Sequence, residues 1–127
     1  ARVLFEKGVA EIVLVGGAID RASEVLYSHV DDHLIESYLP DVAFLSAEGV
    51  DAAGVSNSDE RLIRTERRAL VVARQAVLVA DSSKFGKRGR VRVCGLEELD
   101  AVVTDSGLPN GQRDLLRERG VNVITVR

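Results

Sequence analysis

Five short apolar runs punctuate the chain: EIVLV at Glu11–Val15, VAFL at Val42–Leu45, AVLVA at Ala76–Ala80, AVVT at Ala101–Thr104 and VNVITV at Val121–Val126. Each is rich in branched residues and bounded by polar or glycine-containing segments, so each predicts a strand. Most are apolar at successive positions rather than at alternate ones, the pattern of strands covered on both faces. Between them run stretches of helical period at Ser28–Leu39, Glu60–Arg74 and Gly111–Arg119, the last opened by PNG and closed by Gly120. Strands separated by helices pair in parallel through crossovers. The expectation is an α/β fold, a mostly parallel sheet with helices on both faces.

The remaining segments refine this outline. Ala1–Lys7 reads as the last turns of a helix ending at Gly8, and more of the sheet is expected upstream of it. Ser56–Glu60 (SNSDE) reads as an exposed loop leading into the long helix, with Ser58 or Asp59 as the capping oxygen. Gly86–Arg90 (GKRGR) reads as a short, mobile basic turn rather than a nucleic-acid patch. At 127 residues the chain has the length of one domain, spanning 1–127. Its 46% hydrophobic and 29% charged content is that of a folded globular chain.

Charge and composition then remove several function classes. A formal net charge of −3 argues against gripping nucleic acid through the overall field. Three Phe, two Tyr and no Trp leave few platforms for base stacking. Cys94 is the single cysteine, so no internal disulfide forms and a reducing cytoplasm is the simpler setting. No apolar run approaches the ~20 residues of a membrane-spanning helix.

Candidate chemistry gathers where strands end, since ligands of parallel sheets bind outside the carboxyl ends of the strands. The first run ends in Gly16-Gly17, the second in SAEGVD with Gly49 and Asp51, the third in DSSK with Asp81 and Lys84, and the fourth in Asp105-Ser106-Gly107. Adjacent glycines let backbone N–H groups approach an anion. A lysine supplies a point charge for a phosphate, and aspartates accept from sugar hydroxyls. Together these suit a small phosphorylated polyol. Each also has a plainer role: a tight turn for the glycines, a cap or turn anchor for Asp81 and Asp105, a solvated surface position for Lys84. Within the long helix, Glu66 falls on the apolar face of Leu62, Ile63, Ala69, Leu70 and Ala73, where a carboxylate must find a partner. His29 and His33 are four apart on one helix, but HVDDH is no metalloprotease motif and no third ligand is evident, so no metal and no cofactor are expected. Cys94 reads as packing.

The order EIVLVGG, DVAFLSAEGVDAAGVSN, ERRALVVARQAVLVADSSKFGKRG, LEELDAVVTDSGLP and GVNVITV resembles the sensor domain of DeoR-family bacterial transcriptional repressors, from about Val9 to Arg127. The pair ADSSKFG and VTDSGLP carries most of that likeness. The resemblance implies a Rossmann-like fold akin to sugar-phosphate isomerases. It also implies a phosphorylated sugar as effector, homo-oligomers (dimer or tetramer), and DNA contact only through a separate N-terminal winged helix-turn-helix. It places Gly16, Gly17, Gly49, Asp51, Asp81 and Lys84 at the effector pocket. Glu66 joins them from its place on the helix face, and Arg67, of the Arg67-Arg68 pair, is a candidate phosphate holder. The chain departs from the family in having AGVSN at Ala53–Asn57 where GGLT is usual, and Ser28 where glycine is usual. A DSGTT-like phosphate loop would fall before Ala1. Two other readings remain: a sugar-phosphate isomerase-like enzyme using Asp51, Asp81, Glu66 and Lys84, and a scaffold that dimerises without a ligand.

Overall fold

The computed structural model describes residues 6–8, 10–14, 17–22, 24–27 and 33–126, with the side chains of His33 and Leu34 excepted. These fall into two compact units, 1–34 and 35–127. In the first, strands β1 (Ala18–Asp20) and β2 (Val25–Tyr27) form an antiparallel hairpin, and the Asp20 carboxylate accepts from the Ala22 N–H at its turn. Glu6 and Lys7 are helical and Gly8 turns, as the sequence predicts for the end of that segment. The expected strand at Glu11–Val15 is not formed over its described residues, 11–14, which carry no regular structure.

The short helix α1 (His33–Glu36) spans the division in the chain, and the second unit continues with β3 (Val42–Leu45), β4 (Gly49–Asp51), β5 (Gly54–Asn57), α2 (Glu60–Val72), β6 (Gln75–Val79), β7 (Val91–Cys94), β8 (Ala101–Asp105), α3 (Asn110–Glu118) and β9 (Asn122–Val126). Single 3-10 turns at Ser82–Lys84 and Leu96–Glu98 follow β6 and β7. The expected helix over Ser28–Leu39 is much shorter at its end: it stops at Glu36, ahead of Pro40, and Ser28–Asp32, with His29, lie outside the described residues.

Strands β3, β6, β8 and β9 make a parallel sheet in that order. The register aligns Leu45, Leu78, Val102 and Val123 across it, so these four share one face. Ile63 of α2 and Leu116 of α3 join Leu45, Leu78 and Val102 in one core. On the alternate face Phe44 is 71% exposed, Val79 47% and Ile124 44%. The α/β class and the parallel sheet thus stand, with two helices serving one core.

The antiparallel sheet β4-β5-β7 has no counterpart among the expected strands. Its formation overturns the exposed-loop reading of SNSDE: Ser56 and Asn57 belong to β5 and are buried, and only Asp59 caps α2, accepting from the Arg61 N–H. The two sheets are joined where Val50 bridges Phe85 and the Gly86 N–H donates to the Val50 carbonyl at 2.8 Å. That junction brings the end of β6 beside β4.

Candidate functional site

Lys84 closes the 3-10 turn that follows β6, and its position is set by the residues before it. Asp81 caps this turn, its carboxylate accepting from the Ser83 N–H at 2.9 Å. Hydrogen bonds from the Ser83 side chain and backbone hold the Asp81 carboxyl below the usual carboxylate range, with the nearby Lys84 charge acting in the same direction. Asp105, at the end of β8, clamps the turn from the next strand: it accepts from the Ser82 N–H and the Gly107 N–H, each at 2.7 Å. Those bonds keep its carboxyl ionised and low as well. The two aspartates therefore hold turns, the plainer of the two roles that the sequence offered them, and Lys84 is presented from the turn they fix.

The Val50–Phe85 bridge places this turn next to Gly49 and Asp51. Gly49 is a close-approach residue: a β-carbon there would lie 2.5 Å from the Lys87 carbonyl oxygen. Asp51 accepts from the Ala53 N–H at 2.8 Å and from the Arg88 Nε at 2.6 Å. Bonding to Arg88, the largest effect, outweighs modest burial and lowers its carboxyl. The bridge thus sets β4 beside Phe85, the residue that follows Lys84, with Asp81 at the head of the same turn. Gly16 lies outside the described residues, and Gly17 belongs to the first unit, where it is exposed ahead of β1.

Glu66 and Arg67 serve α2. The Asn57 amide donates to both Glu66 carboxylate oxygens at 2.9 Å, and the Asn57 Oδ1 accepts from the Glu48 N–H at 2.7 Å. Burial raises the Glu66 carboxyl above its ordinary value, and the Asn57 bond offsets part of that rise. The partner that the helix-face position demanded is therefore Asn57, which nothing in the AGVSN segment marks out except its departure from GGLT. The Arg67 guanidinium donates to the Val93 carbonyl at 3.3 Å and to the Arg92 carbonyl. It covers the outer edge of β7.

Arg88 has no counterpart among the candidate residues read from the sequence, yet it is the partner of Asp51. The basic turn it belongs to is fixed rather than loose: besides the Arg88–Asp51 pair, the Gly89 N–H donates to Ser56 Oγ at 2.8 Å and the Arg90 N–H to Ser58 Oγ at 3.3 Å. A cavity of about 170 Å³ opens beside it, lined by Asp51, Ser56, Arg88, Gly89, Arg90 and Arg92, among others. Among the described residues no group of three His, Cys, Asp or Glu side chains is placed to hold a metal, and no helix is long and apolar enough to cross a membrane.

Comparison with known proteins gives this rim a context. A family model described as the DeoR C-terminal sensor domain matches residues 1–106. A candidate aga operon transcriptional repressor of Escherichia coli O157:H7 is 32% identical over 99% of the chain and 47% of its own length. The transcriptional repressor GlcR of Bacillus subtilis is 31% identical over 98% and 48%. The glycerol-3-phosphate regulon repressor of E. coli K12 is 27% identical over 97% and 49%. The chain spans about half the length of the curated relatives it matches. With the family model covering most of its residues, and with the strand-end turns in the arrangement just described, the chain belongs to the DeoR family as its C-terminal sensor domain.

Proposed function

We propose that this domain senses a phosphorylated sugar and, through that binding, controls DNA binding by a separate N-terminal winged helix-turn-helix. Lys84 supplies the charge that attracts the effector. Asp51 and Asp81 accept from its hydroxyls, and Gly49 shapes the rim. Glu66 and Arg67 support the site from α2, through β5 and β7. The observation that carries this reading is the Val50–Phe85 bridge, which seats the Lys84 turn beside Gly49–Asp51 in a chain of the DeoR sensor family. That one relative is named for the regulon of glycerol 3-phosphate, a phosphorylated polyol, agrees with the ligand class.

The domain acts by linkage rather than catalysis. An effector that binds one arrangement of the sensor more tightly shifts the repressor toward it by its differential affinity alone. A coupling of about 1–3 kcal/mol changes DNA affinity roughly 5–150-fold. The protein works in the cytoplasm as a homo-oligomer, and the exposed face around Phe44 favours association or cover by further helices.

Calorimetric titration of the chain with ribose, hexose and glycerol phosphates tests the reading. Saturable binding without turnover is expected, weakened tenfold or more in Lys84→Ala. Turnover of any of these compounds, or unchanged affinity in Lys84→Ala, overturns it.

A further inference from the structure

Charge is distributed very unevenly along the chain. Residues 60–92 carry ten Lys or Arg against three Asp or Glu, although the whole chain has 17 against 20. Part of this excess converges on one concavity. Arg88, Arg90 and Arg92 line the cavity of about 170 Å³ together with a single carboxylate, Asp51. Arg92 lies on β7 and Arg90 at the bend just before it, and both line the cavity.

The framework around them is rigid by construction. Four contacts hold the turn to β4, β5 and Ser58 just beyond it, and Gly89 is obligatory there, since a β-carbon would lie 2.8–3.0 Å from backbone atoms of Asn57. Asp51 takes the Nε of Arg88, leaving the two terminal nitrogens of that guanidinium to face elsewhere. Among the described residues the Arg90 guanidinium has no acceptor. Arg92 has only Glu97 at 3.7 Å, with both side chains more than half exposed, a pair of little strength.

Charged residues on an edge strand ordinarily keep other strands from pairing with it. For β7 that role is already filled by Arg67, whose guanidinium occupies the Arg92 and Val93 carbonyls. Three more arginines in a concave site, with one carboxylate between them, leave a local charge near +2 that the fold itself does not use.

We propose that the Arg88–Arg90–Arg92 cavity binds a small dianionic oxyanion of the phosphate class, at a site that shares Asp51 with the Lys84 rim but does not use Lys84. Planar guanidiniums match a tetrahedral oxyanion with paired N–H donors, and a dianion balances the cavity's charge. Asp51 is a positioning residue here, orienting Arg88. The phosphoryl group can come from free phosphate or from a phosphomonoester.

The test is calorimetric titration of the chain at constant ionic strength with inorganic phosphate, pyrophosphate and glycerol 3-phosphate. It is repeated for Arg90→Ala, Arg90→Lys and Lys84→Ala, and thermal melts confirm that each is folded. Saturable phosphate binding is expected, weakened about tenfold or more in Arg90→Ala, only partly restored in Arg90→Lys, and unchanged in Lys84→Ala. Competition by glycerol 3-phosphate at the Arg90-dependent site identifies a phosphomonoester as a source, and its absence identifies the free anion. Phosphate binding that is unsaturable, insensitive to Arg90→Ala, or lost only in Lys84→Ala overturns the proposal. So does Arg90-dependent binding of a DNA duplex without binding of phosphate. Loss of sugar-phosphate binding in Lys84→Ala with phosphate binding intact bears on the effector rim alone, so the two readings fail separately.

Discussion

Replacing Asn57 with alanine removes the group that makes a half-buried carboxylate tolerable. The Asn57 amide nitrogen lies 2.9 Å from both oxygens of Glu66, and its Oδ1 takes the Glu48 N–H at 2.7 Å. A hydrogen bond to a charged group contributes about 1.5–3 kcal/mol and a neutral one about 0.5–1.5, so the loss of both costs roughly 2–4 kcal/mol. Against a typical total of about 5–15 kcal/mol this is large. The pH dependence carries a definite sign. Burial raises the folded-state value of Glu66 above its unfolded one, so this group's contribution to stability is fullest below the ordinary glutamate range. That contribution is lost as pH rises through the folded value. Asn57 offsets part of the rise, and without it the folded value climbs further. The gap between wild type and Asn57→Ala is therefore widest at neutral pH and narrows as acid protonates Glu66 in the variant. Urea denaturation at pH 7.5 and pH 5 measures it, and in a Glu66→Gln background the narrowing should vanish. A gap below about 1 kcal/mol at neutral pH, or one that widens on acidification, refutes the reasoning.

Other expectations follow from single contacts. Arg67→Ala uncovers the outer carbonyls of β7, so a loss of about 1–2 kcal/mol and a rise in light scattering on warming are expected. A variant matching wild type in both would show that the edge needs no cover. Cys94 is 2% exposed, and burial, aided by Glu98, pushes its thiol up to about 12, so a disulfide reagent at pH 8 should react only after urea unfolds the chain. Asp105, held low by Ser82 and Gly107, contributes stability that is present above the ordinary aspartate value and lost as pH falls through its depressed one. Asp105→Asn should accordingly flatten the acid limb of a pH–stability profile, and an unchanged limb would remove Asp105 as the clamp.

The parallel sheet was legible because its strands are apolar on both sides, a pattern that needs only composition and run length. Val42–Leu45 forms as expected, and the other three strands lie within a residue of their predicted limits. The same pattern misled at Glu11–Val15. An apolar run states a need for burial, whereas a strand exists only with a hydrogen-bonded neighbour, and residues 11–14 have none in the ladders described. The small antiparallel sheet was hidden for the opposite reason. Gly49–Asp51 and Gly54–Asn57 are three and four residues long and each begins with glycine, too short for alternation to register. What builds that sheet is non-local: the Lys87 backbone packed against Gly49, and the Gly89 N–H reaching Ser56 across 33 residues.

At the site, residue type announced capacity and geometry assigned the partner. Asp81 and Lys84 stand at the strand end that their sequence position implied, and the plainer sequence reading of Asp81 and Asp105, as cap and turn anchor, is the one that their backbone N–H partners bear out. Asp51 is the sharpest case. As a candidate acceptor for a sugar hydroxyl it is already bonded to Arg88, 37 residues away, through a turn that looked too basic and too short to be fixed. A hydroxyl arriving at Asp51 must share the carboxylate with Arg88 or displace it, and either outcome changes how that guanidinium faces its own cavity. If both proposed sites are occupied in the working protein, Asp51 couples them. A phosphate-class anion on Arg88 would then alter sugar-phosphate affinity, and by linkage the sugar phosphate would alter anion affinity by the same factor. Asp51→Asn, which weakens the grip on Arg88 while keeping a hydroxyl acceptor, should lower that mutual factor toward one. Equal coupling in Asp51→Asn and wild type would place the link somewhere other than this ion pair.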